Sequence, residues 1–250
     1  MPITHPDLHL TRLAGAIPAW SGGIEPGNLQ PICQNVQDGG GRLVALWGSD
    51  QRETGKEYAL HLALVTEKGL VCLNVPLLAE QPAYPDVSKI FPVAERMQRA
   101  AYDLLGIFAH EGHDPRKWLR HGAWHGGSFP LRKDFAAAQS RTDDPDNYPF
   151  VQVEGQGVHE IAVGPVHAGI IEPGHFRFSV VGEKMLRLEE RLGYVHKGIE
   201  KRFESMTVHQ AARLAGRVSG DSTVAYAWAY AMAAESIAAV APPDLSLIHI

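Results

Sequence analysis

Apolar and polar residues alternate in three short runs in the first third of the chain, and this pattern predicts a small sheet. The predicted strands are Arg42–Trp47, Glu57–Val65 and Leu70–Val75. A period of two puts one set of side chains on each face of a strand, and the short turn at 66–69 suits an antiparallel hairpin. Residues 1–40, rich in proline and glycine, predict an irregular lead-in.

A helical period replaces the alternation over Pro92–Leu105. A proline stands at the start of this segment and Gly106 follows its end, as is common for helices. The predicted apolar stripe consists of Val93, Met97, Ala100 and Leu104. Packed on the sheet, this helix gives an α+β domain, with residues 107–135 as an ordered loop.

The second half of the chain begins with two strand-like segments, 150–153 and 160–163, and continues into a hairpin. His175–Val181 and Lys184–Arg191 are its predicted strands, joined at Gly182. Three helices are predicted after it: His196–Ser205, Val208–Gly216 and Thr223–Ala241. The last is apolar almost all round, which predicts burial on every side. A polar, aspartate-rich stretch marks a boundary, giving domains at 1–140 and 150–244 with a linker at 141–149.

Composition narrows the class of protein. Charged residues are 20% of the chain and the net charge is −5, which does not favour nucleic-acid binding. Cys33 and Cys72 have no metal-ligand spacing and are expected to be reduced thiols. We find no signal-peptide pattern and no apolar run long enough to span a bilayer. Three loop histidines, His113, His121 and His125, fit no metal template, so we predict no metal site there.

Residues 91–135 resemble the end of the 30-kDa-type subunit of respiratory complex I. The residues that carry this resemblance are Glu95-Arg96, Tyr102–Ile107, Gly112-His113 and Pro130–Phe135. Residues 164–241 resemble the start of the 49-kDa-type subunit, a family that includes the large subunits of group 4 nickel–iron hydrogenases. Here the residues are Gly164–His167, Glu172–Arg177 and Tyr194–Lys201. The presence of both subunit types in one chain resembles the fused large subunits of formate hydrogenlyase, hydrogenase-4 and NADH-quinone oxidoreductase C/D complexes.

The chain departs from this resemblance in the segment Arg217–Ser222. In hydrogenases of the family the same run reads Arg-Val-Cys-Gly-x-Cys, and its thiolates ligate nickel and iron. This chain has Ser219 and Ser222 at the cysteine positions, and a neutral hydroxyl does not replace a soft thiolate. A tyrosine of the quinone-reducing relatives is also missing near Gly220. We therefore expect no metal centre in this segment, and Asp221 or Ser222 is expected to cap the following helix.

The C-terminus is a second departure, because chains of this family continue further. The resemblance therefore implies a C-terminally truncated chain. Residues 245–250 also resemble the translation of a transposon-end adapter used in DNA library preparation. We exclude these six residues from the fold prediction.

The resemblance implies roles for several residues. It puts His175 near a quinone headgroup or metal centre, and Glu200 where hydrogenase relatives pass protons. His167, Arg177 and His196 would help to bind substrate. Alternatives from the residues alone are a loop histidine bonded to backbone for His175 and a pairing with Lys201 or the helix dipole for Glu200. Arg177 and Arg217 are expected to be buried cations that face carboxylates.

The function implied by the resemblance is that of an oxidoreductase subunit. It would belong to a complex I-like, hydrogenase-related membrane complex that couples electron transfer to proton or ion movement, on the cytoplasmic face of the membrane. Expected partners are an iron–sulfur subunit and antiporter-like membrane subunits; any cluster would lie in a partner, and a quinone could bind. The alternatives are a quinone-reducing subunit and a non-catalytic scaffold that links redox and membrane modules.

Overall fold

The computed structural model describes residues 2–112, 114–122, 124–136, 148–168 and 171–240. Its strands are β1 Thr11–Arg12, β2 Ala19–Gly23, β3 Arg42–Asp50, β4 Tyr58–Thr66, β5 Gly69–Leu77, β6 Ala83–Pro85, β7 Phe108–His110, β8 Val158–Val163, β9 His175–Val181 and β10 Lys184–Arg191. Its α-helices are α1 Leu29–Asp38, α2 Ala94–Leu105, α3 Ile199–Phe203, α4 Val208–Ala215 and α5 Thr223–Ala238. The predicted α+β class is confirmed, whereas the bounds of the linker and the adapter-like tail lie largely outside the described residues.

The predicted sheet is larger than the sequence indicated. Its order is β1-β2-β5-β4-β3. In this sheet β2 and β5 are parallel, and the remaining neighbouring strands are antiparallel. The three predicted strands β3, β4 and β5 are confirmed, with bounds that differ by a few residues. Leu60, Leu62 and Leu64 of β4 are fully buried on one face, and each contributes about 1.5–3 kcal/mol of hydrophobic stabilisation.

Helix α1 corrects the prediction that residues 1–40 are an irregular lead-in. Its buried residues, Leu29, Ile32, Cys33 and Val36, recur at helical spacing and join the core beside the sheet. Pro31 lies in the first turn, where a missing N–H is tolerated because that group has no partner within the helix.

Helix α2 has nearly the predicted extent but buries a different face. Its buried residues are Ala94, Gln98, Ala101, Asp103, Leu104 and Leu105. Val93 precedes the helix and is 53% exposed, so the buried stripe is shifted by about one residue. The shift arises because the helix buries two polar side chains, Gln98 and Asp103, together with their hydrogen-bond partners. Gly106 ends the helix at φ +75°, in the left-handed conformation that glycine favours.

The described part of the second half forms the three-stranded antiparallel sheet β10-β9-β8 and the helices α3, α4 and α5. The hairpin strands have the predicted bounds, and Gly182 turns between them at φ +55°. Residues 150–153 are not a strand. Helix α3 begins at Ile199 and not at His196, because Gly198 adopts φ +69° and so does not continue a right-handed helix.

The prediction that α5 is buried on every side is wrong. None of its residues is buried, and Val224 is 61% exposed. The hydrophobic core cluster lies wholly within residues 3–107. Among the described residues, no helix is both long and apolar enough to cross a membrane.

Candidate functional site

A cavity of about 770 Å³ lies where the two halves of the chain meet. Five of the predicted site residues line it: His196, Glu200, Ser219, Asp221 and Ser222. Helix α3 and the residues before it form one wall, and the 217–222 segment with the start of α5 forms the other. Leu104 of α2 and Leu119 of the following loop complete the lining from the first half of the chain.

The 217–222 segment is held by its own hydrogen bonds. The Ser219 hydroxyl donates to Asp221 Oδ1 over 2.5 Å, and this bond lowers the pKa of the exposed Asp221 carboxyl. The ammonium of Lys197 donates to the Val218 carbonyl and lies 4.0 Å from a Glu172 carboxylate oxygen. Lys197 therefore joins two of the sequence motifs, although sequence reasoning did not single it out.

Two predictions for this segment are corrected. The N-cap residue of α5 is Ser222, and its side chain makes no capping hydrogen bond; Asp221 is engaged with Ser219 instead. The Thr223 hydroxyl donates to the carbonyl of Gly220, so backbone acceptors at this turn are satisfied from within the helix. Arg217 is exposed and not a buried cation, because α5 and its neighbours leave this turn open to solvent.

His196 precedes α3 and Glu200 lies on its first turn, and both line the cavity. Burial lowers the pKa of His196, with the nearby Glu200 carboxylate acting in the opposite direction. Burial therefore favours the neutral form of this imidazole. Glu200 itself is exposed, and Lys201 pairs with Glu204 over 3.1 Å and not with Glu200.

His175 lies on the hairpin sheet, and the described lining of the cavity does not include it. Its Nδ1 atom donates to the Gly164 carbonyl over 2.9 Å, which leaves Nε2 as the ring nitrogen that is open to another partner. Nε2 is buried and has no hydrogen-bond partner within the described chain. The ring contacts Phe150 at a centroid distance of 5.1 Å.

Gly164 brings the first two motifs of the second half together. Its φ is +74°, and a Cβ atom there would lie 2.0 Å from the Gly174 carbonyl oxygen. Only glycine allows this approach. The partly buried His167 lies on the same turn, and its Cδ2 atom is 3.4 Å from the point where that Cβ atom would lie.

Arg177 makes contacts typical of a residue that stabilises the fold. Its guanidinium pairs with Glu160 over 3.1 Å and stacks over the Phe150 ring at 4.0 Å. Arg177 therefore faces a carboxylate as expected, but its side chain is 29% exposed and not buried. Neighbouring Arg191 stacks over Tyr148 and lies 3.2 Å from His121 Nδ1.

Sequence reasoning missed the role of the motif Pro130–Phe135, which it used only for the resemblance. Asp50, at the end of β3, has a fully buried side chain that accepts from the Lys133 backbone N–H over 2.9 Å. Arg52 joins Asp50 to Asp134 over 2.6 and 2.9 Å. The three consecutive charged residues of this motif were a signal, but its partners in β3 lie about eighty residues away in sequence.

A second junction brings Gly193 against the first half of the chain. A Cβ atom on Gly193, whose φ is +95°, would lie 2.0 Å from the Trp118 carbonyl oxygen. The ring of Tyr194, the residue that follows Gly193, packs on the His121 ring with centroids 4.4 Å apart. His125 is exposed, and His113 lies outside the described residues. In the described ranges, no group of three or more His, Cys, Asp or Glu side chains is placed to hold a metal ion.

Comparison with known proteins gives one family and several relatives. Residues 23–141 match the family described as "Respiratory-chain NADH dehydrogenase, 30 Kd subunit". Formate hydrogenlyase subunit 5 of Escherichia coli is 33% identical over 213 residues, which are 82% of this chain and 37% of that protein. Hydrogenase-4 component G of Escherichia coli is 32% identical, covering 82% of this chain and 38% of the relative.

A third relative is the C/D subunit of NADH-quinone oxidoreductase from Phocaeicola vulgatus. It is 30% identical over 195 residues, which are 70% of this chain and 37% of the relative. The chain therefore spans less than two fifths of the length of these three relatives.

Proposed function

We propose that this chain is part of a fused oxidoreductase subunit in a complex I-like, hydrogenase-related membrane complex, because residues 23–141 match the 30-kDa subunit family of the respiratory-chain NADH dehydrogenase. The observation that carries the proposal is the match to formate hydrogenlyase subunit 5, which extends over both halves of the chain. The subunit would dock on an iron–sulfur subunit and on antiporter-like membrane subunits at the cytoplasmic face. It would couple electron transfer to proton or ion movement.

The 217–222 segment does not fit a nickel–iron centre. Ser219 and Ser222 supply neutral hydroxyls, and the Ser219 hydroxyl is already bonded to Asp221. Nickel and iron in such sites favour soft thiolates. This donor chemistry supports a complex without a nickel–iron centre at this segment.

Metal analysis of the purified, assembled complex tests this part of the proposal. We expect no stoichiometric nickel in the wild type, measured by inductively coupled plasma mass spectrometry. The double variant S219C/S222C is the matched comparison, because it restores both thiols. One nickel per wild-type subunit would contradict the proposal.

Glu200 is the residue that we propose to handle protons, since it lies with His196 in the cavity at the junction of the two halves. A carboxylate in water-accessible contact with such a cavity can exchange protons between the site and solvent. In the assembled complex, E200Q should lower steady-state electron transfer by about tenfold or more, whereas E183Q, at the exposed hairpin turn, should not. Equal rates for wild type and E200Q would contradict the role.

Quinone reduction is a second candidate because the buried Nε2 of His175 has no partner in the described chain. A buried nitrogen in this state is ready to accept or, once protonated, to donate a hydrogen bond to a ligand oxygen. Binding of decylubiquinone to the assembled complex, weakened in H175A, would support this function. If neither H175A nor E200Q changes turnover, a non-catalytic scaffold that joins redox and membrane modules is the better account.

A further inference from the structure

The short helix α3 carries Glu200 but has little packing of its own. It is five residues long, and none of them is buried. Helices this short are not stable without tertiary contacts. The contacts that hold α3 therefore decide where Glu200 lies.

Besides the stacking of Phe203 on Tyr230, two lysines link α3 to the motif Pro130–Phe135. The Lys201 ammonium, on α3, donates to the Arg132 carbonyl over 2.8 Å. The Lys133 ammonium pairs with Glu204, the residue that ends α3, over 2.9 Å. Lys201 also pairs with Glu204 over 3.1 Å, so three side chains form one network.

The motif is itself fixed to the first half of the chain. Besides the bond from the Lys133 N–H to Asp50, the Arg132 Nε donates to the Leu105 carbonyl over 2.7 Å. The Arg132 guanidinium lies over the Phe129 ring at 4.1 Å, and the Leu131 N–H donates to the Leu104 carbonyl over 3.0 Å. One side of the motif is thus anchored on β3 and α2, and the other side reaches α3.

The result is a specific location for Glu200. A second cavity of about 540 Å³, lined by residues of β3, α2 and the motif, also includes Glu200 and Glu204. Glu200, Leu104 and Leu119 line both this cavity and the one at the 217–222 segment. Glu200 lies at the boundary between the two.

We propose that Lys133 is a positioning residue: through Glu204 it fixes α3 and so holds Glu200 at the boundary of the two cavities. The motif then serves the site of the second half, and not only the packing of the first. This inference rests on the proposed role of Glu200 for its effect on activity, but its structural part does not.

The structural part is tested on the full chain by hydrogen–deuterium exchange of a peptide that covers α3, residues 198–206. K133M should speed exchange of these amides about two- to fivefold, the range for loss of a partly exposed ion pair. K133R keeps the cation and should retain protection, and K89M, at an exposed lysine of the first half, is the matched control. If K133M does not fold, E204Q removes the same contact from the other side. Exchange in K133M or E204Q equal to that of the wild type would overturn the proposal.

The functional part uses the assembled complex. K133M should lower electron transfer and shift its pH profile, because the environment of Glu200 changes, while K133R restores both and K89M changes neither. If E200Q has no effect but K133M frees α3, the proposed role of Glu200 fails and the positioning contact stands. If α3 remains protected in K133M, the positioning role fails whatever E200Q does.

Discussion

Asp103 is the buried carboxylate of the first half of the chain whose loss we expect to lower the free energy of unfolding most. Its side chain is fully buried, and Oδ2 accepts from the backbone N–H groups of Trp118, Leu119 and Arg120 over 2.7, 2.7 and 3.2 Å. Its other oxygen lies 3.6 Å from the Nε atom of Arg120, whose side chain is 2% exposed. This one residue on α2 therefore fixes the middle of the 107–135 segment, which leads to the second half.

The substitution D103N keeps the shape and removes the charge. The single carbonyl oxygen of asparagine can take the three N–H groups only if its NH₂ group faces Arg120, and two donors then oppose each other. Removing one partner of a buried charged pair costs about 3–5 kcal/mol. Because the separation from Arg120 is long for an ion pair, we expect a cost at the lower end of this range, about 3 kcal/mol. The total stability of a domain is about 5–15 kcal/mol, so this is a large fraction of it.

Urea unfolding followed by far-UV circular dichroism measures the global effect. Hydrogen exchange of a peptide covering residues 117–121 measures the local one, and should speed up in D103N. Exposed Asp7 gives the matched control, with D7N expected within about 0.5 kcal/mol of the wild type. The double variant D103N/R120M no longer buries an unpaired cation, so its loss should be smaller than the sum of the single losses by about 1 kcal/mol or more.

The reasoning would be refuted by a D103N variant within about 1 kcal/mol of the wild type with the 117–121 amides equally protected. Additive losses in D103N/R120M would refute only the part that concerns Arg120. The three backbone bonds to Oδ2 would then account for the whole effect.

Single contacts elsewhere in the chain give three more predictions. Burial alone would raise the pKa of Asp50, but hydrogen bonds from Arg52 and the Lys133 N–H lower it from 3.8 to about 2. The lowered pKa contributes about 2 kcal/mol of stability, which is present above about pH 4 and is lost as the pH falls through about 2. Urea unfolding between about pH 7 and 2 should show this loss in the wild type and not in D50N. G193A should destabilise the chain by about 1–3 kcal/mol in thermal unfolding, since its Cβ would meet the Trp118 carbonyl at a positive φ. Burial raises the pKa of the Cys33 thiol to about 12, so iodoacetamide should label partly exposed Cys72 first, and Cys33 only in urea, by peptide mass spectrometry.

Local pattern is enough to predict the hairpin β9–β10 and the central strands of the first sheet. In both, alternation and a glycine turn leave few other conformations. The prediction for residues 1–40 missed helix α1 because Gly27 and Pro31 favour irregular structure, although the spacing of Leu29, Ile32 and Val36 is helical. The predicted face of α2 was wrong because the helix buries Gln98 and Asp103, whose partners a periodicity argument does not include.

The candidate site was predicted as residues but not as an arrangement. The short separations in sequence between His196 and Glu200, and between Ser219 and Asp221, are enough to predict that each pair lies close together, although the predicted helical turn at His196 is absent. The separation of His175 from that cavity does not, because it depends on how the hairpin sheet packs against residues 148–150. The contact between Lys133 and Glu204 likewise joins residues far apart in sequence, and neither charge alone identifies its partner.

Helix α5 shows most clearly where sequence reasoning stops. A helix that is apolar on every side has the composition of a buried element, yet Trp228 is 45% exposed and Ile237 is 88% exposed. Its side-chain contacts are few: the Tyr230 hydroxyl donates to the Val208 carbonyl over 2.7 Å, the Tyr230 ring stacks on Phe203, and the Ser236 hydroxyl donates to the Ala14 carbonyl. A uniform apolar surface gives no periodicity, so it predicts burial without identifying a neighbour. Burial depends on which elements pack together, and the described residues that contact α5 include those of α4, of α3 and of the segment at Ala14.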